Sequence, residues 1–140
     1  MKTLLATLAL TAAPQALACP GLELQDGWIR EAPPGAMMTV AYAGLRNAGK
    51  RPLKIDGGAS RDFSEVTLHH TVLENGMYRM LDGEALELAP GARAALSPEG
   101  WHLMLMNPQH TLKVGDHVQV ALSCGAQSST FTFTVKAPSE

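Results

Sequence analysis

Two histidines and a set of methionines stand where they can share a surface. In Trp101-His102-Leu103-Met104-Leu105-Met106, residue types alternate one by one, and an extended chain sends successive side chains to opposite faces. Trp101, Leu103 and Leu105 then make a core face, while His102, Met104 and Met106 share the other. Over residues 65–73, Val66, Leu68 and Val72 form the apolar set, and His69 projects with Thr67 and Thr71. A thioether is a soft, neutral ligand that suits Cu(I) and serves zinc, magnesium or calcium poorly, whereas imidazole accepts copper in either oxidation state. A mixed His/Met surface therefore points to copper, and to the reduced ion. The ordinary use of methionine is to fill gaps in a core, and parity alone does not choose between Met104 and Met106.

Other chemistry finds no support. Ser60, Ser64 and Ser97 lack a Gly-x-Ser-x-Gly setting, and neither cysteine belongs to a Cys-x-x-Cys pair. Acidic residues are scattered singly, and no Gly-rich loop opens a helix. The expectation is a protein that is not an enzyme. A blue-copper site needs a cysteine thiolate with two histidines and an axial methionine, yet no histidine or methionine follows Cys124. The chain has 140 residues, a formal net charge of −2 and two cysteines. That charge makes no basic stripe for nucleic acid, and two cysteines are too few for a disulfide-stapled mini-domain or a four-thiolate zinc site.

The elements that must position these side chains are short and extended. No sustained helical period appears after the N-terminal segment. Apolar-alternating runs recur between turn signals, the pattern of an antiparallel sandwich or barrel. The runs predict strands at 22–30, 39–47, 53–57, 65–73, 77–81, 93–96, 102–106, 117–123 and 129–136. Glu74-Asn75-Gly76 is a hairpin signal, because Asn and Gly tolerate positive φ. The expectation is one all-β domain, an antiparallel Greek-key β-sandwich, over residues 19–140. Residues 1–18 read as a signal peptide: Lys2 is a positive n-region, 4–13 is apolar but too short to span a bilayer, and Ala16-Leu17-Ala18 is a cleavage signature. A lipobox ending at Cys19 is an alternative that Ala16 and Leu17 fit poorly. The signal peptide makes the periplasm the expected location, and no other apolar stretch is long enough for a transmembrane helix.

The fuller arrangement His69, Met80, His102, Met104 has the spacing His-x10-Met-x21-His-x-Met. This resembles the motif of the periplasmic copper chaperones of the PCuAC family. Local sequence agrees in Val66-Thr67-Leu68-His69, in Asn75-Gly76-Met77-Tyr78-Arg79-Met80 and in His102-Leu103-Met104-Leu105-Met106. Pro33-Pro34-Gly35, Leu45-Arg46-Asn47, Pro90-Gly91 and Val114-Gly115-Asp116 also look like family positions. The resemblance covers essentially all of 19–140. It implies a cupredoxin-like sandwich binding one Cu(I) through His69, Met80, His102 and Met104. It also implies a monomeric carrier that passes copper to an accepting protein, such as the CuA subunit of cytochrome c oxidase or another chaperone. Pro52 and Ser123-Cys124 depart from the family pattern without touching the four positions. No His- and Met-rich tail follows residue 136, so a second site of that kind is not expected.

The other residues read more plainly. His70 has the opposite parity to His69 and is expected packed or at an edge. His110 and His117 lie next to turns and are expected solvated. Met37, Met38, Met77 and Met106 are candidates for a thioether or apolar rim. Trp28 reads as core, and Trp101 as a core anchor whose ring could also shield a metal. Export would put Cys19 and Cys124 in an oxidising compartment where a disulfide can form, although a bridge to a chain terminus would tie down little. The competing function is a metal-free Ig-like envelope interaction module, whose methionines would form a contact patch.

Overall fold

The computed structural model describes residues 18–138, all of them in strands and connections; residues 1–17 of the expected signal peptide lie outside this range. The strands are β1 Leu22–Arg30, β2 Met38–Asn47, β3 Leu53–Ile55, β4 Gly57–Ala59, β5 Phe63–Glu74 and β6 Met77–Asp82. They continue with β7 Leu86–Leu88, β8 Arg93–Leu96, β9 Trp101–Pro108, β10 His117–Cys124 and β11 Gln127–Lys136. Nine of them form one sheet in the order β4-β10-β11-β1-β2-β8-β9-β5-β6. Two further pairings, β4 with β5 and β2 with β9, close that sheet on itself. The protein is thus an all-β, single-domain sandwich curled into a barrel, with β6 left outside the closure and paired only with β5.

Alternation writes the core. Val118, Val120 and Leu122 of β10 and Phe133 and Val135 of β11 are buried, as are Leu103 and Leu105 of β9 and Val66 and Leu68 of β5. Residues between them face out, as a two-residue side-chain period requires. The Asn75-Gly76 turn joins β5 to β6 with both residues at positive φ, 49° and 76°, the twist that a two-residue hairpin needs. Gly58 answers a different demand. It pairs with Leu122 of β10 and with Val66 of β5, and a Cβ there would collide with the Ala121 carbonyl oxygen.

Two small elements escape the periodicity. The predicted 53–57 run divides into β3 and β4, and β7 pairs with β3 as a separate ribbon. Three residues are too few for alternation to register. What holds the ribbon is cross-strand pairing: Leu53 faces Leu88, Ile55 faces Leu86, and Lys54 meets Glu87 outside at 3.4 Å. Asn47 ties this ribbon to the sheet. It is completely buried; its Nδ2 donates to the Arg51 carbonyl at 2.7 Å and the Leu88 carbonyl at 3.0 Å, and its Oδ1 accepts from the Gly49 amide. Asn47→Ala would strand the buried Leu88 carbonyl and remove the partner of the part-buried Arg51 carbonyl, and each unsatisfied buried group costs roughly 1–3 kcal/mol. Urea unfolding should therefore show a loss of about 3 kcal/mol, and a loss below about 1 kcal/mol would contradict this role.

A disulfide joins Cys19 to Cys124, with Cα atoms 6.0 Å apart across a sequence separation of 105. The expectation that a bridge to Cys19 would tie down little chain is corrected here. Cys19 is buried, its amide donates to Ser129 Oγ at 2.9 Å, and the bridge anchors the start of the domain to the end of β10.

Candidate metal site

The site is a matter of register on three adjacent strands. In the β5–β9 pairing His69 lies opposite His102 and Thr67 opposite Met104. In the β5–β6 hairpin Thr71 lies opposite Met80. Residues opposite one another in a sheet share a face, and so do residues two apart on one strand. His69, Met80, His102 and Met104 consequently project from a single face, although they come from three strands. The two imidazole rings tilt toward each other with centroids 5.8 Å apart. His69 Nδ1 lies 2.8 Å from Met80 Sδ.

Each histidine has one ring nitrogen engaged by oxygen. His69 Nε2 is 3.0 Å from Thr67 Oγ1; in the tautomer that donates from Nε2, the Nδ1 lone pair is directed at Met80 sulfur. His102 Nδ1 donates to the Gly100 carbonyl at 3.3 Å, which leaves Nε2 as the lone-pair nitrogen. For His102 this is the arrangement by which metal-binding histidines are oriented, with one nitrogen tied to an oxygen acceptor. Burial holds the His102 pKa below the usual histidine value; the Gly100 hydrogen bond opposes that shift and the nearby His69 adds to it. His102 is 5% exposed whereas Met80 is 52% exposed. The site therefore runs from a sheltered nitrogen to an open sulfur. Among the described residues, no three His, Cys, Asp or Glu side chains gather in a group able to hold a metal ion.

The neighbours sort by face. Met77 pairs with Glu74, one position out of phase with Met80, so it lies on the opposite face of the hairpin and is removed from the rim. Met106 shares the face of Met104 but lies opposite Glu65, one rung further from the histidines. Met38 lies opposite Met106 across β2–β9. His70 stacks on Trp101, with centroids 4.0 Å apart and planes 6° apart, and its Nδ1 is 3.0 Å from a Glu84 carboxylate oxygen. That stack is on the face away from His69, so Trp101 packs against the core and does not cover the metal-site face. Trp28, read from the sequence as core, is instead half-buried against Tyr42, with centroids 5.0 Å apart. Tyr42 shares the Val40 face of β2, and Val40 lies opposite Met104. No local signal in the sequence distinguishes this wall from a core aromatic, because only strand pairing puts it beside the site. His110 lies elsewhere on the surface, bound to Asp62 at 2.8 Å, and that hydrogen bond raises its pKa. His117 is exposed.

The fold is that of a PCuAC-like β-sandwich. The structure superposes on the copper-bound PCuAC domain from PmoF2 with a TM-score of 0.69, covering 89% of this chain and 100% of that one; at 24% identity this likeness is one of fold. It also matches the solution structure of CuI-DR1885 from Deinococcus radiodurans, with a TM-score of 0.61, 26% identity, and coverage of 87% of this chain and 80% of that one. Residues 22–137 match the model of the LpqE-like family, described as putative lipoproteins, and the chain belongs to that family. A putative lipoprotein, Lxx21020 of Leifsonia xyli subsp. xyli (strain CTCB07), is 30% identical over 103 residues. The match takes in 73% of this chain, which spans 61% of that protein's length.

Proposed function

We propose that this protein is an exported Cu(I) carrier, in which His69, Met80, His102 and Met104 hold one ion and release it to a recipient protein. The observation that supports this most directly is the convergence of two imidazoles and two thioethers on one face. Two nitrogens and two sulfurs suit Cu(I) and disfavour Cu(II). Four protein donors leave no vacant position for a substrate, so carriage without catalysis is the reading. The register also favours Met104 over Met106: two residues along a strand is about 6.6 Å and four about 13 Å from His102, and only the shorter separation suits a shared ion. The Deinococcus radiodurans protein of the same fold has been solved as its CuI form. Exposure of Met80 gives an incoming ligand a place to begin displacement.

Anaerobic titration with Cu(I) against a competing chelator tests this reading. One equivalent should bind tightly; none would leave the interaction-module alternative. The proposed recipient is the CuA subunit of cytochrome c oxidase, or another copper chaperone, and mixing the loaded protein with the apo CuA domain should move copper and develop the CuA absorption. Family membership supports an envelope location, and residues 1–18 are proposed as a cleaved signal peptide that delivers the chain to the periplasm. Mass spectrometry of the exported protein should find Cys19 first.

Affinity should depend on pH. Both histidines must be neutral to bind, and protons compete below the ordinary histidine value of about 6.5. Because burial depresses the His102 pKa, that residue stays competent further into acid than a solvated histidine would. The same shift sets the sign for the metal-free protein. The unfolded chain takes up a proton below about pH 6.5 that the native His102 resists. This contribution to stability is constant above that pH and is lost as pH falls through the lower native value. Chelator competition from about pH 7.5 to about pH 5 should show falling affinity, and a flat profile would contradict histidine ligation.

A further inference from the structure

The sheet face that carries the metal site continues past it. On β9 the next residue of the same parity after Met104 is Met106, and Met38 of β2 lies directly opposite Met106. The hydrogen-bond pattern sets how closely these two meet. The Asn107 amide donates to the Met37 carbonyl at 2.8 Å, a bond that flanks the Met38–Met106 pair rather than joining it. Such a pair is of the non-hydrogen-bonded kind, with Cα atoms about 4.5 Å apart and side chains closer than in the alternate rungs. Two flexible thioethers therefore rise side by side, and Met38 is 45% exposed. Glu65 stands on the other flank of Met106, so a carboxylate borders the pair and favours a cation there. Met106 follows Met104 by about 6.6 Å along the strand.

We infer that Met38 and Met106 form a second, weaker site for a soft monovalent cation, a two-sulfur station through which Cu(I) reaches or leaves the four-donor site. Two thioethers are enough to hold a closed-shell soft ion loosely. With no imidazole, the station binds less tightly than the main site, so copper is drawn onward to Met104, His102 and His69. Passage between the two requires only exchange of one thioether for another, with no change in oxidation state. The sulfurs of Met38, Met106 and Met104 thus lead along one sheet face from exposed surface toward the sheltered nitrogen of His102. The inference extends the Cu(I)-carrier reading but is carried by separate residues, and its test separates the two.

The test is titration of the disulfide-intact protein, labelled with 13C at the methionine methyls, with silver(I) nitrate in chloride-free buffer; Ag(I) is a redox-inert stand-in for Cu(I). The first equivalent should shift the methyls of Met80 and Met104, and a second should shift those of Met38 and Met106. The M38L/M106L variant keeps the apolar bulk of the pair without its sulfurs and should lose the second event by at least tenfold in affinity, with the first unchanged. The station is overturned if the Met38 and Met106 methyls stay unmoved through two equivalents. It is also overturned if they move together with Met80 and Met104 in the first, or if the double variant still takes up the second equivalent. Shifts at Met38 and Met106 with none at Met80 and Met104 would leave a two-sulfur site but remove the four-donor site, and would overturn the role of the pair as a station.

Discussion

Replacing any one of His69, Met80, His102 or Met104 with alanine is expected to lower the affinity for the first Cu(I) equivalent by at least about tenfold, roughly 1.4 kcal/mol. The effects should differ by position. His102 is buried and oriented by the Gly100 carbonyl, so its loss removes a nitrogen that water cannot easily replace. Met80 is exposed, and its loss should act most on the rate at which copper leaves for a recipient. Met77→Ala should leave the first equivalent nearly unchanged, because Met77 faces away from His69. Met106→Ala should do the same at the first equivalent, because Met106 lies one rung too far. All six variants should keep the β-rich circular dichroism of the parent, since the side chains project from the core. Binding abolished by Met106→Ala and spared by Met104→Ala would overturn the ligand assignment. Indifference to all six would end the copper reading.

Removing the Cys19–Cys124 bridge is expected to destabilise the protein by about 4 kcal/mol, the order given by restoring the freedom of a closed loop of roughly a hundred residues. The C19S/C124S variant and the parent in reductant should unfold at matching, lower urea concentrations. Copper stoichiometry in native buffer should stay at its parent value, because the bridge joins the N-terminal end of the domain to β10 and touches none of the three site strands. Two reactive thiols in the unfolded, unreduced protein would refute the bridge. The same sulfur of Cys19 cannot carry both this bond and a lipid thioether, so the mass of the exported protein reads the two alternatives directly.

Strand periodicity was largely legible. The 22–30 and 93–96 runs coincide with β1 and β8, and the others, apart from the divided 53–57 run, differ from the observed strands by a residue or two at their ends. Those runs carry enough alternating apolar residues for burial to dictate their faces. The short β4 and β7 were not legible, since their places follow from partners far along the chain: Ala121 to Ser123 for β4, and Leu53 to Ile55 for β7. The Asn75-Gly76 hairpin was readable locally, because its turn demands positive φ at both residues.

Residue chemistry and spacing in the chain by themselves determined that thioether and imidazole donors recur on predictable strand faces, and that the metal they suit is soft. Alternation is a local property, so parity along one strand is encoded in that strand. Register is not local. Only the tertiary structure decided that His69 meets His102, that Met80 swings to the same face while Met77 turns away, and that Met38 comes to rest against Met106. It also decided that Trp28 covers Tyr42 beside the site, while Trp101 stacks on His70 behind it. A shift of one residue in any of these pairings would carry every side chain of a strand to the other face. That register is held by the closed barrel, by the turn at Asn75-Gly76 and by the buried rows of Leu, Val and Phe beneath the site.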